Sequence, residues 1–478
     1  MLRRQMRGLL NKLSQPFVLV SASRAGVQGL SLLALLLAVA LVDVETFGAY
    51  SLAWVTTTVL SGLMYTGLYE YLMRTPAIDD ERDTLFWVLI AQGIALTGAQ
   101  AAMGLAWQHF DSPVVGTMLL ALSPLPLLHG PVVWLDGLLV RQQRLPAVHG
   151  NWLLAEAASL ATLAALLHAG PGAAALVISR IVPIMIALLL MALRCRQRPR
   201  LRFSAAAARR GLHAAWPLQG NALMGAVSNY SADFLLASYL TPAAAGAYRA
   251  ASRIAMSGTE LLIQPLRPVN WSAFSRHERE RDRPAMAETY LSNLRFLTFI
   301  ALPVLCTFGE LGSRIVDAFL QPSWAVAGAI VSVLAFARAC GLFEFFVEPI
   351  LVCNGRARLN FALRTGSSVL VLLGVLAAAR FGPVAVAGWQ LGAGALVALV
   401  ATGLIVRTLA IAPARVLGAI GAPLLMTAAC LAVVQAVVLA SPWPLRATVI
   451  AAAAASALCL GIGLLLALGA RLVRLPRL

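Results

Sequence analysis

Apolar runs of about 20 residues follow one another from end to end of this 478-residue chain, each long enough to cross a hydrocarbon core of ~30 Å as a helix. Inside such a core every backbone N–H and C=O must be bonded within the protein, which leaves helices or a closed barrel. A barrel needs segments of about 10 residues that alternate apolar and polar positions, and the sequence contains none. Only 12% of residues are charged, about half the share of a soluble domain. The expected fold class is all-α and polytopic.

The runs predict fourteen transmembrane helices, at 17–42, 48–73, 84–107, 114–139, 147–168, 173–193, 215–240, 246–271, 290–312, 324–351, 357–379, 382–406, 416–439 and 446–469. Prolines make the fourth (Pro124, Pro126, Pro131), tenth (Pro349) and thirteenth (Pro423) the least regular. The basic opening MLRRQMRGLLNKLSQP is like a signal-peptide n-region. The apolar stretch after it is too long for an h-region and lacks a clear A-x-A site, so it reads as an uncleaved first helix.

Basic residues orient the chain. Twenty-six lie at the two ends and in alternate loops, seven of them between Arg194 and Arg210, whereas the opposite loops hold only Arg314, Arg380 and Arg446. Positive loops stay inside, so both termini are expected in the cytoplasm of a bacterium, with the chain spanning its inner membrane. The acidic stretch Asp79-Asp80-Glu81 with Asp83 reads as a solvated cytoplasmic turn.

The chain also repeats. Phe47-Gly48-Ala49-Tyr50 opens the second span, and Ala245-Gly246-Ala247-Tyr248 opens the eighth, 198 residues later. Six helices per half is an even number, so the halves share an orientation and relate by a pseudo-two-fold axis along the membrane normal. The expected organisation is an N-lobe at 1–205, a C-lobe at 206–409 and two further helices at 410–478.

The net charge of +17 does not mark a nucleic-acid binder, because the cations fall between apolar runs rather than on one soluble face. Lys12 is the only lysine, so no P-loop lysine exists and direct ATP hydrolysis is excluded. The six cysteines are scattered without a CxxC pair and read as small packing residues. No cofactor, metal site or catalytic residue is expected.

Ionisable residues inside spans face a cavity or a partner. In the eighth span Arg249, Arg253, Glu260, Gln264 and Arg267 fall within an arc of roughly 60° at helical periodicity. Three arginines against one glutamate point to the wall of a hydrated cationic cavity. The seventh span adds Asn229 and Asp233, the first adds Arg24 and Gln28, four residues apart, and the second offers Tyr65 and Tyr69, whose rings suit sugar faces. Arg180, Arg338 and Arg364 are isolated cations, with Glu156, Glu344 and Glu348 as available partners. Asp43-Val44-Glu45 reads as a loop turn rather than a catalytic pair.

The openings D-V-E-T-F-G-A-Y (43–50) and N-Y-S-A-D-F-L-L-A-S-Y-L-T-P-A-A-A-G-A-Y-R-A-A-S-R-I (229–254), with L-V-R-Q-Q-R-L-P-A-V-H-G-N-W (139–152) and L-G-S-R-I-V-D-A-F-L-Q-P-S-W (311–324), resemble the polysaccharide transport family of the MOP flippase superfamily. The resemblance runs over nearly the whole chain. It implies two six-helix lobes around a central cavity lined by the first, second, seventh and eighth helices. The implied cargo is an undecaprenyl-pyrophosphate-linked oligosaccharide repeat unit, moved by alternating access for O-antigen, capsule or exopolysaccharide. The implied partners are membrane lipids and polysaccharide polymerase and assembly proteins. Carried over by position, the family's cationic sites fall on Arg24, Arg249 and Arg253, and an acidic one on Asp233. The driving force is left open between an ion gradient, the membrane potential and consumption of the product.

A peptidoglycan-precursor flippase has the same fourteen-helix plan but more cations on the second and seventh helices. A multidrug exporter of the superfamily has twelve helices and acidic sites. A membrane glycosyltransferase or polymerase needs a larger external loop than any here. Asp233 and Arg253 each lie ~10 Å from the outer end of their spans, within reach of an ion pair. Asp233→Asn combined with Arg253→Gln is then expected to harm transport less than either single change; additive damage would contradict the pair.

Overall fold

The structure, a computed structural model, describes residues 16–75, 78–110, 112–170, 172–195, 197–263 and 266–469. Among them every regular element is helical. The helices are α1 (Pro16–Leu41), α2 (Val44–Met64), α3 (Leu68–Arg74), α4 (Ile78–Phe110), α5 (Pro113–Leu122), α6 (Pro124–Arg141), α7 (Leu145–Ala169), α8 (Gly172–Arg194) and α9 (Ala205–Tyr239). They continue as α10 (Pro242–Ile263), α11 (Leu266–Arg279), α12 (Arg283–Phe319), α13 (Ala325–Gly341), α14 (Val347–Cys353), α15 (Ala357–Ala378), α16 (Pro383–Leu409), α17 (Pro413–Ala440) and α18 (Leu445–Gly469). Eleven stretches among the described residues are long and apolar enough to cross a membrane. The protein is therefore a multi-pass membrane protein. The helices α2, α3, α9, α10 and α11 are not among those eleven.

Prolines shape several ends. The fourth expected span is split at Ser123, where α5 stops and α6 begins on Pro124, because the proline ring cannot accept the preceding turn. The tenth is broken by a 3₁₀ turn at Leu342–Glu344, whereas α17 runs unbroken through Pro423. Asp43 caps α2, its Oδ1 accepting the Thr46 N–H at 2.8 Å. Partial burial alone would raise this carboxyl, but the Thr46 N–H and neighbouring amides hold it below its ordinary value. That geometry makes Asp43 the turn residue its sequence context suggests.

The chain forms two compact units. One extends up to Ala237 and includes Thr241–Gly246; the other takes Ser238–Leu240 and everything from Ala247. In the first unit α1 packs on α7, α7 on α8, and α4 on α5 and α6. Its core includes Trp134, edge-on to Phe86 at 5.3 Å, with the indole N–H donating to the Arg82 carbonyl at 2.8 Å. In the second unit α12 packs on α13 and α17, and α13 on α16. Phe346 stands at its centre, with the rings of Phe274 and Tyr290 at 6.3 and 5.6 Å.

Two acids of the expected solvated turn, Glu81 and Asp83, lie instead near the start of α4 and are buried. Glu81 and Asp83 are each only 5% exposed. Glu81 accepts the Tyr71 hydroxyl at 2.8 Å and pairs with Arg210 at 2.6 Å. A buried carboxylate needs such partners, and they come from α3 and from α9, far along the sequence. The basic residues of the first 15 positions and after 469 lie outside the described residues.

The echoed glycines touch. A Cβ on Gly48 would run into the Pro242 carbonyl, and one on Gly246 would run into the Cα of Gly48. The two helix starts therefore cross backbone to backbone, the use small residues have in membrane packing. Gly246→Ala is expected to destabilise the protein by roughly 1–3 kcal/mol through overpacking. Gly29→Ala, in α1 with open space around it, should stabilise slightly through helix propensity. Thermal unfolding in detergent checks both, and a neutral Gly246→Ala would contradict the close crossing.

Candidate functional site

The second expected span does not continue as one helix. It stops at Met64 and restarts at Leu68. Gly67 sits at φ +86°, a conformation that only glycine adopts readily, and its Cα faces Ala215 so closely that a side chain has no room. Interrupted helices in a membrane must have their freed backbone groups bonded again. Here Gln219 of α9 donates its amide to the carbonyls of Leu63 and Thr66 at 3.2 and 3.3 Å, and Gln92 of α4 reaches Leu63 at 3.4 Å. The Gly67 N–H is taken by the Glu70 carboxylate.

This break presents Tyr65 and Tyr69, with ring centroids 6.2 Å apart. Tyr65 also meets the edge of His129 at 5.7 Å. Tyr69 donates its hydroxyl to Asp136 of α6. Asp136 is only 6% exposed, and its Oδ1 has no hydrogen-bond partner among the described residues. The His129 Nδ1 lies 2.7 Å from the Leu125 carbonyl, so Nδ1 carries the proton and a neutral ring offers Nε2 as acceptor. Arg24 of α1 is exposed and lies within electrostatic range of Tyr69 and of His149 on α7. Gln28, one turn on, is also exposed.

Elsewhere in this unit Arg180 is fully engaged. Its Nε donates to the Tyr50 hydroxyl at 2.8 Å, its Nη1 lies 3.9 Å from Glu156, and its guanidinium sits over Trp54 at 4.8 Å. On α9 Asn229 is exposed and Asp233 is buried.

In the second unit Arg249 and Arg253 are half-buried, one turn apart on α10. Gln264 lies outside the described residues, as do the side chains of Glu260 and Arg267. Arg364 of α15 pairs with Glu348 of α14 at 2.6 Å. Among the described residues no three His, Cys, Asp or Glu side chains converge as a metal site.

The first unit thus gathers an exposed cation, two tyrosines, a buried carboxylate and a histidine at one helix break. The second carries paired guanidinium groups on one face. Such groups have the chemistry to meet anionic and hydroxylated ligands.

A family model described as "Polysaccharide biosynthesis protein" matches residues 37–329. The chain belongs to that family. Among solved structures, the polysaccharide biosynthesis protein is similar to the lipid II flippase MurJ in an inward closed conformation. That match has a TM-score of 0.72 at 13% identity and covers 93% of this chain and 98% of that one. It is also similar to an inward-facing multidrug resistance MATE transporter of the MOP superfamily, with TM-score 0.64 at 14% identity over 80% and 94% of the two chains. A MOP superfamily transporter from Pyrococcus furiosus gives 0.53 at 12%, over 83% and 96%. These likenesses establish the MOP-superfamily fold. No curated protein matches the chain.

The structure brings Arg24, Tyr65 and Tyr69 of the sequence-selected residues into one neighbourhood. It adds Asp136 and His129, which periodicity did not single out. Asp136 carries the signal that finds it, being the one acidic residue in the apolar stretch 114–139. Tyr69→Phe removes a buried carboxylate's hydrogen bond and is expected to cost about 1–3 kcal/mol. Asp136→Asn keeps an acceptor for the Tyr69 hydroxyl and should cost less. Melting temperatures of the purified variants check the order, and the reverse order would contradict the bond.

Proposed function

We propose that this polysaccharide biosynthesis protein is a flippase rather than an enzyme. It carries undecaprenyl-pyrophosphate-linked oligosaccharide repeat units across the bacterial inner membrane by alternating access, supplying O-antigen, capsule or exopolysaccharide. The observation that carries this reading is the pair Arg249 and Arg253, half-buried one turn apart in a membrane-length helix. A pyrophosphate is the anion that a guanidinium's bidentate fork fits best.

The membrane plan is consistent with the sequence. α2 with α3, α9, and α10 with α11 would add three crossings to the eleven apolar stretches, for the fourteen of the sequence reading. Their polar residues suit helices that border a hydrated path. The cation bias of the loops supports cytoplasmic termini, and each half would contribute six helices before α17 and α18. Arg24, Gln28, Tyr65, Tyr69, Asn229 and Asp233 form the remainder of the binding set with Glu260, Gln264 and Arg267. Polymerase and assembly proteins are the partners that would take the product.

The alternative cargoes are a peptidoglycan lipid precursor and cationic drugs. Cationic side chains on α10 disfavour a cationic drug, whose recognition calls for carboxylates. Deletion of the gene is expected to leave lipid-linked repeat units facing the cytoplasm and to remove surface polysaccharide. Wild type should restore it, and Arg249→Ala/Arg253→Ala should restore less than about a tenth, the loss that one good charge-assisted contact represents. Normal surface polysaccharide in the double variant would remove the binding role.

A further inference from the structure

The second unit contains a polar cavity of about 300 Å³ with no part in the reading above. Two stripes face it. Glu344 and Glu348 lie one helical turn apart, and Asn360, Arg364, Ser367 and Ser368 recur at helical spacing along α15, with Phe345 beside them. A lining of two carboxylates, a guanidinium, an amide and two hydroxyls is costly at membrane depth unless something hydrogen-bonds it.

The charges around the cavity are already met. Arg364 donates to Glu348 at 2.6 Å, and Glu344 lies in the fields of Arg364 and Arg338. Two acids against two bases leave no net charge to draw in an ion. The lining still presents donors and acceptors on opposite walls and one aromatic ring. That is the chemistry of a site for a neutral polyol. The volume is at the low end for ligand sites, suited to a ring or two rather than to a whole lipid-linked oligosaccharide. The basic turn with Arg356 and Arg358 opens α15 only a few residues before Asn360, so the cavity lies toward the end that the cation bias assigns to the cytoplasm.

We propose that this cavity receives a neutral, hydroxyl-rich sugar ring of the carried oligosaccharide. The inference rests on the lipid-linked reading above and gives it a site for the sugar, separate from the arginines that would hold the pyrophosphate. Recognition by paired charges favours neutral hexoses, since a uronic acid would stand against Glu344 and Glu348.

The test uses the full-length protein in vesicles with two fluorescent probes, a polyprenyl pyrophosphate bearing a neutral hexose disaccharide and the same lipid without sugar. Ser368→Leu fills the cavity; Val369→Leu, one residue on and 48% exposed, leaves it open. Ser368→Leu is expected to slow the sugar-bearing lipid about tenfold, as the loss of a hydrogen-bonding site does, and to leave the sugar-free lipid unchanged. Val369→Leu should change neither. An equal fall for both lipids, or no fall, overturns the proposal. Melting of purified protein separates the two readings. If wild type flips neither lipid but the disaccharide lipid raises its melting temperature and not that of Ser368→Leu, the flippase reading falls and the sugar site stands. An equal rise in both proteins removes the site.

Discussion

A charged or hydrogen-bonding group inside a bilayer must be met by another polar group, and most of what is distinctive in this protein follows from how that demand is satisfied. Arg180 is met by a hydroxyl, a carboxylate and an indole face. Arg364 is met by Glu348, and Glu81 by Tyr71 and Arg210. The carbonyls freed where α2 gives way to α3 are met by two glutamine amides from other helices. Each of these contacts joins two different helices, so the polar groups act as fasteners between apolar helices that have little hydrophobic reason to choose one another in lipid.

The same demand explains the division of labour among helices. Eleven stretches are apolar enough to stand in lipid on their own. The helices with the arginine pair, the tyrosines at the helix break and the buried Asp233 carry more polar residues.

Much of the architecture was legible in the sequence because it depends on local pattern. Run length gave the helices, prolines gave the split at Ser123 and the irregular tenth span, and isolated arginines with nearby glutamates anticipated the Arg180–Glu156 and Arg364–Glu348 pairs. What escaped depends on partners far along the chain. Ala215 of α9 leaves no room for a side chain at Gly67, and nothing in the residues around position 67 announces that contact. Glu81 and Asp83 read as solvated because local composition is hydrophilic; Arg210, 129 residues away, is what allows Glu81 to be buried. Asp136 lay in an apolar run whose period drew attention away from its one acid. The glycines at 48 and 246 were visible as an echo, but their direct contact was not, because a repeat shows similarity and not adjacency.

The central claim is that positive side chains recognise the anionic head of a polyprenyl lipid in transit. The most direct measurement is headgroup selectivity in vesicles containing the wild-type protein, with one saccharide carried either on polyprenyl pyrophosphate or on an uncharged polyprenyl ether. The account predicts that the pyrophosphate-linked lipid crosses and the uncharged one does not. Equal rates for the two would contradict it.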